Sequence, residues 1–298
     1  MYYRRKLLLG ILEKFEGKLN HTNLQKILFL VTRKQSRKSF DFVPYKYGSF
    51  SFQANQDLMT MTKRGFIESH LTKVSSEWRI IYPENFFNQL NKEDQAAILT
   101  TKNEIKGLSQ RELIKHTYIN YPFYAINSQI ADDLLNKEQL RKVQLQRRSI
   151  SEKHLFTLGY EGVSLETYVN KLILNDVKLL CDVRKNSLSM KYGFSKNQLK
   201  NACESIGIKY LHIPKLGIES NKRQKLNSLK DYEKLFEEYE KSTLKENHDS
   251  ILEVSDLLEK YSRVALTCFE KEACMCHRSR VVKSLKKLPN WNIKITNL

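Results

Sequence analysis

Residues 177–184 read Val-Lys-Leu-Leu-Cys-Asp-Val-Arg, an apolar run that ends in an acid and a base two places apart. Short runs of this kind, separated by helical periodicities, mark βαβ units whose parallel strands are buried on both faces. Four more runs keep the same rhythm, at Leu155–Leu158, Lys209–Ile213, Arg263–Cys268 and Trp291–Ile295. Helical patterns alternate with them at Ser164–Leu174, Ser195–Ser205, Tyr232–Glu240, Ser250–Tyr261 and His277–Lys287. Ser195 is placed to cap the second of these helices, and Gly207 sits where a closing glycine is wanted. The expected fold of residues 154–298 is α/β, with a mostly parallel, Rossmann-like sheet of about five strands.

Loops leaving the carboxyl ends of parallel strands share one rim, so residues far apart in the chain can meet there. The runs end in Gly159-Tyr160-Glu161, Asp182-Val183-Arg184, His212-Ile213-Pro214 and Cys268-Phe269-Glu270, the last followed by Cys276-His277-Arg278. Asp182 and Arg184 start on the same face of an extended chain. As a functional pair, the guanidinium binds phosphate while the carboxylate orients it or acts as a base. As a structural pair, they are an ion pair at a strand end. Tyr210 and His212 share a face of the next strand, and His212 reads either as a proton carrier or as a satisfied buried imidazole. Cys276 and His277 open the last helix, where free amides and the helix dipole favour an anion and lower a thiol pKa. There Cys276 is a nucleophile or a packing residue, Arg278 a phosphate ligand and Glu270 an activator of water.

Three familiar chemistries can be tested on the last loop. A phosphatase loop needs a cysteine, five residues and an arginine, but Cys274 stands where the arginine belongs. A rhodanese-like sulfur carrier is suggested by Asp182-Val183-Arg184, yet Glu270 and Glu272 would raise the thiol pKa and repel anionic donors. Zinc could recruit Cys268, Cys274, Cys276 and His277, but Cys-x-Cys-His is tight for a tetrahedral centre and no second paired cluster exists. No metal and no cofactor are assigned.

Residues 1–125 read as a mainly helical, winged-helix-like domain. Leu7, Leu8, Ile11, Leu12 and Phe15 recur at helical spacing, as do Leu24, Ile27, Leu28 and Val31 behind the capping residues Asn20 to Asn23. A turn-rich stretch at 42–49 leads into a helix ending near Gly65, and Trp78–Tyr82 reads as a short strand before Pro83. Residues 126–153 form a basic, helix-like connector carrying Lys137, Arg141, Lys142, Arg147, Arg148 and Lys153. These cations are either a solvated face or a phosphate-contacting stripe.

The 298 residues hold 51 Lys+Arg against 33 Asp+Glu, a formal net charge of +18, which points to a phosphate-rich partner. No run is long enough to cross a bilayer and the N-terminus lacks a convincing signal peptide, so the expected compartment is the cytoplasm, with no membrane partner. Five cysteines crowded into the second half fit a reducing compartment better than a disulfide framework.

Two resemblances follow from quoted motifs. Leu24-Gln25-Lys26, Pro44-Tyr45-Lys46-Tyr47-Gly48-Ser49-Phe50-Ser51 and Lys63-Arg64-Gly65-Phe66-Ile67 resemble the SocA-like, or Panacea-type, antitoxin-associated domain, which implies a recognition or regulatory module. Thr157-Leu158-Gly159, Asp182 to Lys196, Tyr210 to Ile218 and Cys268 to Arg278 resemble the domain of unknown function 488 family. That likeness implies an α/β fold with an active site and no settled reaction. Ser187 and Met190 stand where the family pattern has proline and arginine; if that arginine contacts a substrate phosphate, its loss weakens or retunes binding, and Ser189 and Lys191 remain available.

The functional expectation is a nucleic-acid-directed enzyme, on DNA rather than RNA, that hydrolyses an N-glycosidic bond at a modified or exposed nucleotide, with defence against foreign DNA as an extension. Asp182, Glu270, His212 and Cys276 are the catalytic candidates. Tyr160, Arg184, Ser189, Lys191, Tyr210, His277 and Arg278 are the substrate and phosphate contacts, Tyr160 stacking on an extruded base. The competing expectations are a metal-dependent nuclease, a DNA-binding regulator or ligand sensor, and a rhodanese-like sulfur-transfer or redox protein.

Overall fold

A computed structural model describes residues 1–71, 76–223 and 228–298 of the chain. It divides into two compact units, residues 1–147 and 148–298. Among the described residues no helix is long and apolar enough to cross a membrane.

The first unit runs α1 (Tyr3–Lys14), β1 (Lys18–Asn20), α2 (His21–Lys34), β2 (Val43–Tyr45), β3 (Gly48–Phe50), α3 (Phe52–Lys63), β4 (Ile67–Leu71), β5 (Ser76–Ile80), α4 (Lys92–Glu104), α5 (Gln110–Asn120), α6 (Ala131–Leu134) and α7 (Lys137–Gln144). Three helices interleaved with an antiparallel sheet of order β1-β5-β4 give the winged-helix-like pattern, with the hairpin β2-β3 inserted before α3. Caps follow the local sequence: Asn20 accepts from the Asn23 amide and Ser51 from the Ala54 amide. The helical repeats of α1 and α2 converge in one core, where Leu7, Leu8, Ile11, Leu24 and Leu28 are buried. The fully buried Asp57 of α3 accepts from Arg5 Nε at 2.7 Å, tying α3 to α1.

Lys26 is buried in the same unit and donates to the Ser49 carbonyl at 2.9 Å, which anchors the β2-β3 turn to α2. Burial lowers its pKa from 10.5 to about 7.

The second unit runs β6 (His154–Gly159), α8 (Leu165–Leu174), β7 (Leu179–Asp182), α9 (Lys196–Glu204), β8 (Lys209–His212), α10 (Leu229–Lys241), α11 (Thr243–Glu246), α12 (His248–Tyr261), β9 (Arg263–Cys268), α13 (Arg278–Leu285) and β10 (Lys294–Asn297). Its five strands form one sheet of order β10-β6-β9-β7-β8, every pairing parallel. Every residue of β6, β7 and β9 is buried, as strands covered on both faces require. Leu155, Leu179, Cys181, Val264 and Leu266 share one core with Ile251, Val254 and Leu258 of α12 and Val281 and Leu285 of α13. The intervening strand residues Phe156, Leu158, Leu180 and Ala265 face the other way by the period of two.

Two local expectations shift. The last strand lies at Lys294–Asn297 rather than Trp291–Ile295, because its register is set by pairing with β6, Lys294 opposite His154. Ser195 stands at the start of α9 without capping it, since its hydroxyl instead donates to the Ser189 carbonyl and accepts from the Ser189 amide, both at 3.1 Å. Gly207 does close α9, in the left-handed region at φ 85°.

Register gathers the strand ends on one rim. Gly159 is level with Cys268, and Asp182 is level with both Thr267 and His212. The rim order is therefore β6, β9, β7, β8, with β9 wedged between two strands that precede it in sequence.

The folded protein releases the Lys26 proton near pH 7 and the unfolded chain near 10.5. Between those values the unfolded state binds more protons, so stability rises with pH, by up to about 1.4 kcal/mol per pH unit. Lys26→Met should abolish that rise. Urea unfolding at several pH values, followed by Trp78 fluorescence in a Trp291→Phe background, reads the slope, and an unchanged slope in Lys26→Met would assign it elsewhere.

Candidate functional site

Two buried networks occupy the rim, and the segment Asp182-Val183-Arg184 joins them, Asp182 and Arg184 lying in the first and the Val183 carbonyl in the second. In the first, Asp182 is fully buried and its Oδ1 accepts from the Arg184 amide (3.1 Å) and Nε (2.8 Å), while Oδ2 accepts from Arg184 Nη2 (2.5 Å) and the Tyr210 hydroxyl (2.6 Å). Arg184 Nη1 donates to the Tyr160 hydroxyl and the Phe194 carbonyl, each at 2.8 Å. His212 Nε2 donates to the Arg184 carbonyl at 2.8 Å. Burial opposes the Arg184 charge, but the hydrogen-bonded Asp182 carboxylate outweighs it and raises the guanidinium pKa. Burial and the same carboxylate raise the Tyr210 hydroxyl.

This geometry favours the structural reading of the pair. All four acceptor positions of Asp182 are taken, and four of the five Arg184 donors go to neighbouring groups of the fold. Tyr160 is likewise committed. Its ring stacks on Phe194 at 4.3 Å and 9°, and it is buried rather than presented to a base. The network does bring together Tyr160, Asp182, Arg184, Tyr210 and His212, drawn from β6, β7 and β8.

The second network lies at the end of β9. Cys268, Cys276 and His277 are buried and Glu270 is half-buried. Cys268 Sγ is 3.2 Å from Glu270 Oε2 and 3.5 Å from His277 Nδ1, and Cys276 Sγ is 3.9 Å from that nitrogen. One ligand atom from each of the four residues lies within 4.8 Å of the other three. His277 Nε2 donates to the Val183 carbonyl at 3.0 Å, and Nδ1 faces the sulfurs. Burial, then Cys268, pushes the Cys276 thiol well up, the reverse of the depressed pKa expected at a helix start. Desolvation outweighs the dipole here because the sulfur is almost wholly buried.

Cys274, which sequence spacing grouped with these residues, is exposed and outside the cluster. Glu270 takes its place. The tight Cys-x-Cys-His spacing matters less than it seemed, because Cys268 and Glu270 arrive from β9 and the other two from the α13 side.

Arg278 holds the loop. It is buried, and its Nε donates to the Thr157 hydroxyl (3.3 Å), Nη1 to the Glu270 carbonyl (2.5 Å) and Nη2 to the Lys271 carbonyl (2.8 Å). The Phe269 carbonyl accepts from the amides of Tyr160 (3.1 Å) and Glu161 (2.9 Å). Gly159 permits this contact, because a Cβ there would lie 1.9 Å from the Glu270 carbonyl oxygen. Glu270 therefore projects, half-buried, from a backbone fixed on both sides.

Among the described residues, several lysines lie on the rim loops. Lys185, Lys215 and Lys271 are exposed on the rim loops. Lys191 is half-buried, donates to the Tyr160 carbonyl at 2.7 Å and has a pKa lowered by burial. Ser189 accepts from the Lys191 amide at 3.1 Å and shapes this loop, while Met190, at the departure from the family pattern, is fully exposed. A cavity of about 290 Å³ beside the rim is lined by Lys185, Lys215, Lys222, Tyr239 and others, and by neither network's carboxylate.

Sequence reasoning overlooked Phe194, Thr157 and the Val183 carbonyl. The first two are ordinary apolar and hydroxyl residues and the third is backbone, so no residue-type signal marks them. Gly159 did carry a signal, a glycine at the end of an apolar strand.

Tyr210→Phe removes the hydroxyl from Asp182 and should cost about 1–3 kcal/mol of stability. Gly159→Ala should cost at least as much, by forcing the Glu270 loop off β6. Denaturant unfolding of both variants checks these values, and wild-type stability in Gly159→Ala would show that the close approach is not maintained.

Residues 164–285 match the family described as Domain of unknown function DUF488. No curated protein matches the chain. The match begins at α8 and ends at the last residue of α13, so it spans both rim networks except for the residues that β6 and its following turn supply.

Proposed function

We propose that the chain is a cytoplasmic, nucleic-acid-directed enzyme whose second unit hydrolyses an N-glycosidic bond at a modified or exposed nucleotide, DNA rather than RNA. The observation that carries the reading is Glu270, a half-buried carboxylate at the mouth of the rim, its backbone clamped by Arg278 and Gly159. A carboxylate so held can take the proton of a water as the water oxygen bonds to the sugar C1′. The C1′–N bond breaks, the departing base keeps the bonding electron pair, and the proton held by Glu270 passes to it, which restores the carboxylate. Asp182, with its oxygens occupied, acts as a brace beneath this site.

Phosphate contact falls to Lys185, Lys191, Lys215 and Lys271, because Arg184 and Arg278 are spent inside the fold. The formal charge of +18 supports a polyanionic substrate. The winged-helix-like first unit, with its resemblance to SocA-like domains, supports substrate selection and a role in defence. A magnesium-dependent nuclease is less well supported, since the metal-competent cluster among the described residues is rich in sulfur and Mg²⁺ selects oxygen.

A DNA-binding regulator is the second reading, favoured by the internal hydrogen bonding of Asp182, Arg184 and Arg278. Incubation with modified and unmodified duplexes separates the two. The enzyme releases free base and leaves abasic sites, and Glu270→Gln should slow release by about 100-fold or more. Salt-sensitive binding without any product would establish the regulator. Strand breaks without free base would move the reaction to the phosphodiester.

A further inference from the structure

We propose that Cys268, Glu270, Cys276 and His277 bind a zinc ion. The proposal shares Glu270 with the hydrolytic reading, but its test reads metal occupancy and not turnover.

Bond lengths decide whether four donors suit a tetrahedral ion. With Zn–S near 2.3 Å and Zn–N or Zn–O near 2.0–2.1 Å, a tetrahedron has S···N and S···O edges of about 3.5 Å. The corresponding separations are 3.5 and 3.9 Å from the two sulfurs to His277 Nδ1, and 3.2 Å from Cys268 Sγ to Glu270 Oε2. These three edges lie within about 0.4 Å of the tetrahedral value, and the remaining donor separations are no longer than 4.8 Å.

The surroundings match what a metal-bound imidazole requires. Ligand histidines donate their second ring nitrogen to a carbonyl or carboxylate, which sets the tautomer and the ring orientation. His277 does this through Nε2 to the Val183 carbonyl at 3.0 Å. The Tyr239 ring meets the imidazole edge to face at 5.8 Å. Arg278 pins the Glu270 and Lys271 carbonyls, holding the loop between the two pairs of donors.

Donor chemistry selects the ion. Two thiolates, an imidazole and a carboxylate suit borderline-soft zinc and are poor ligands for magnesium or calcium. Two thiolates and a carboxylate also carry three negative charges into a mostly buried site, which a divalent cation and the nearby Arg278 largely balance. Glu270 is the least buried of the four and therefore the ligand that water can replace. A displaced Glu270 carboxylate would lie beside that water, which is the position the hydrolytic reading gives it.

The full-length protein, purified and passed over a chelating resin, should retain about one zinc per chain by elemental analysis. Cys276→Ser and His277→Ala should lower the metal content at least tenfold, and Cys274→Ser should retain it. Should the buried variants fail to fold, cobalt(II) exchanged into the wild type should show thiolate-to-metal charge transfer together with tetrahedral ligand-field bands. A wild type without stoichiometric zinc and without cobalt–thiolate absorption would overturn the proposal. So would a Cys268–Cys276 disulfide in protein prepared without oxidant, or loss of metal from Cys274→Ser equal to that from Cys276→Ser. Because the readout is the metal, absence of base release would leave the site standing.

Discussion

The buried pair Asp182–Arg184 is the interaction on which the rim of the second unit depends. Moving two charges out of water is costly, and such a pair persists only when its remaining lone pairs and protons are also satisfied. Here Tyr210 of β8 completes the carboxylate, while Tyr160 after β6 and the Phe194 carbonyl complete the guanidinium. Each demand is met by a different element, so the ion pair draws β6, β7, β8 and the start of α9 to one point. Val183, between the two charged residues, offers its carbonyl to His277 and so ties the same point to the β9–α13 loop.

The site that results separates support from chemistry. Residues that look reactive in sequence, two arginines and an aspartate, are turned inward as structural groups, and this frees the loops to carry lysines outward. Glu270 combines a fixed backbone with partial exposure, and a catalytic or metal-binding carboxylate needs both. Gly159 is what allows the arrangement, since any side chain at that position would occupy the space of the Glu270 carbonyl.

Legibility differed between the two units for a physical reason. Strands of a parallel sheet are buried on both faces and announce themselves as apolar runs, so Arg263–Cys268 was legible to the residue. The strands β1, β2 and β3 of the first unit are only three residues long, and pairing partners define them rather than a hydrophobic period. Ser195 shows the same limit at one side chain. A serine at a helix start reads as a cap, and only the returning loop, which brings Ser189 to its hydroxyl, redirects it.

Composition and pattern alone determined the α/β class of the second unit, the strand ends as the places where polar residues collect, and the strong positive charge, because each depends on residue type and local spacing. Tertiary structure decided which of those polar residues are consumed by one another. Asp182 and Arg184 close on themselves because strand ends set by register supply Tyr160 and Tyr210 at hydrogen-bonding distance. Glu270 replaces Cys274 beside Cys268, Cys276 and His277 because the loop folds back over Gly159. Those outcomes rest on distances between residues far apart in the chain, which sequence spacing does not encode.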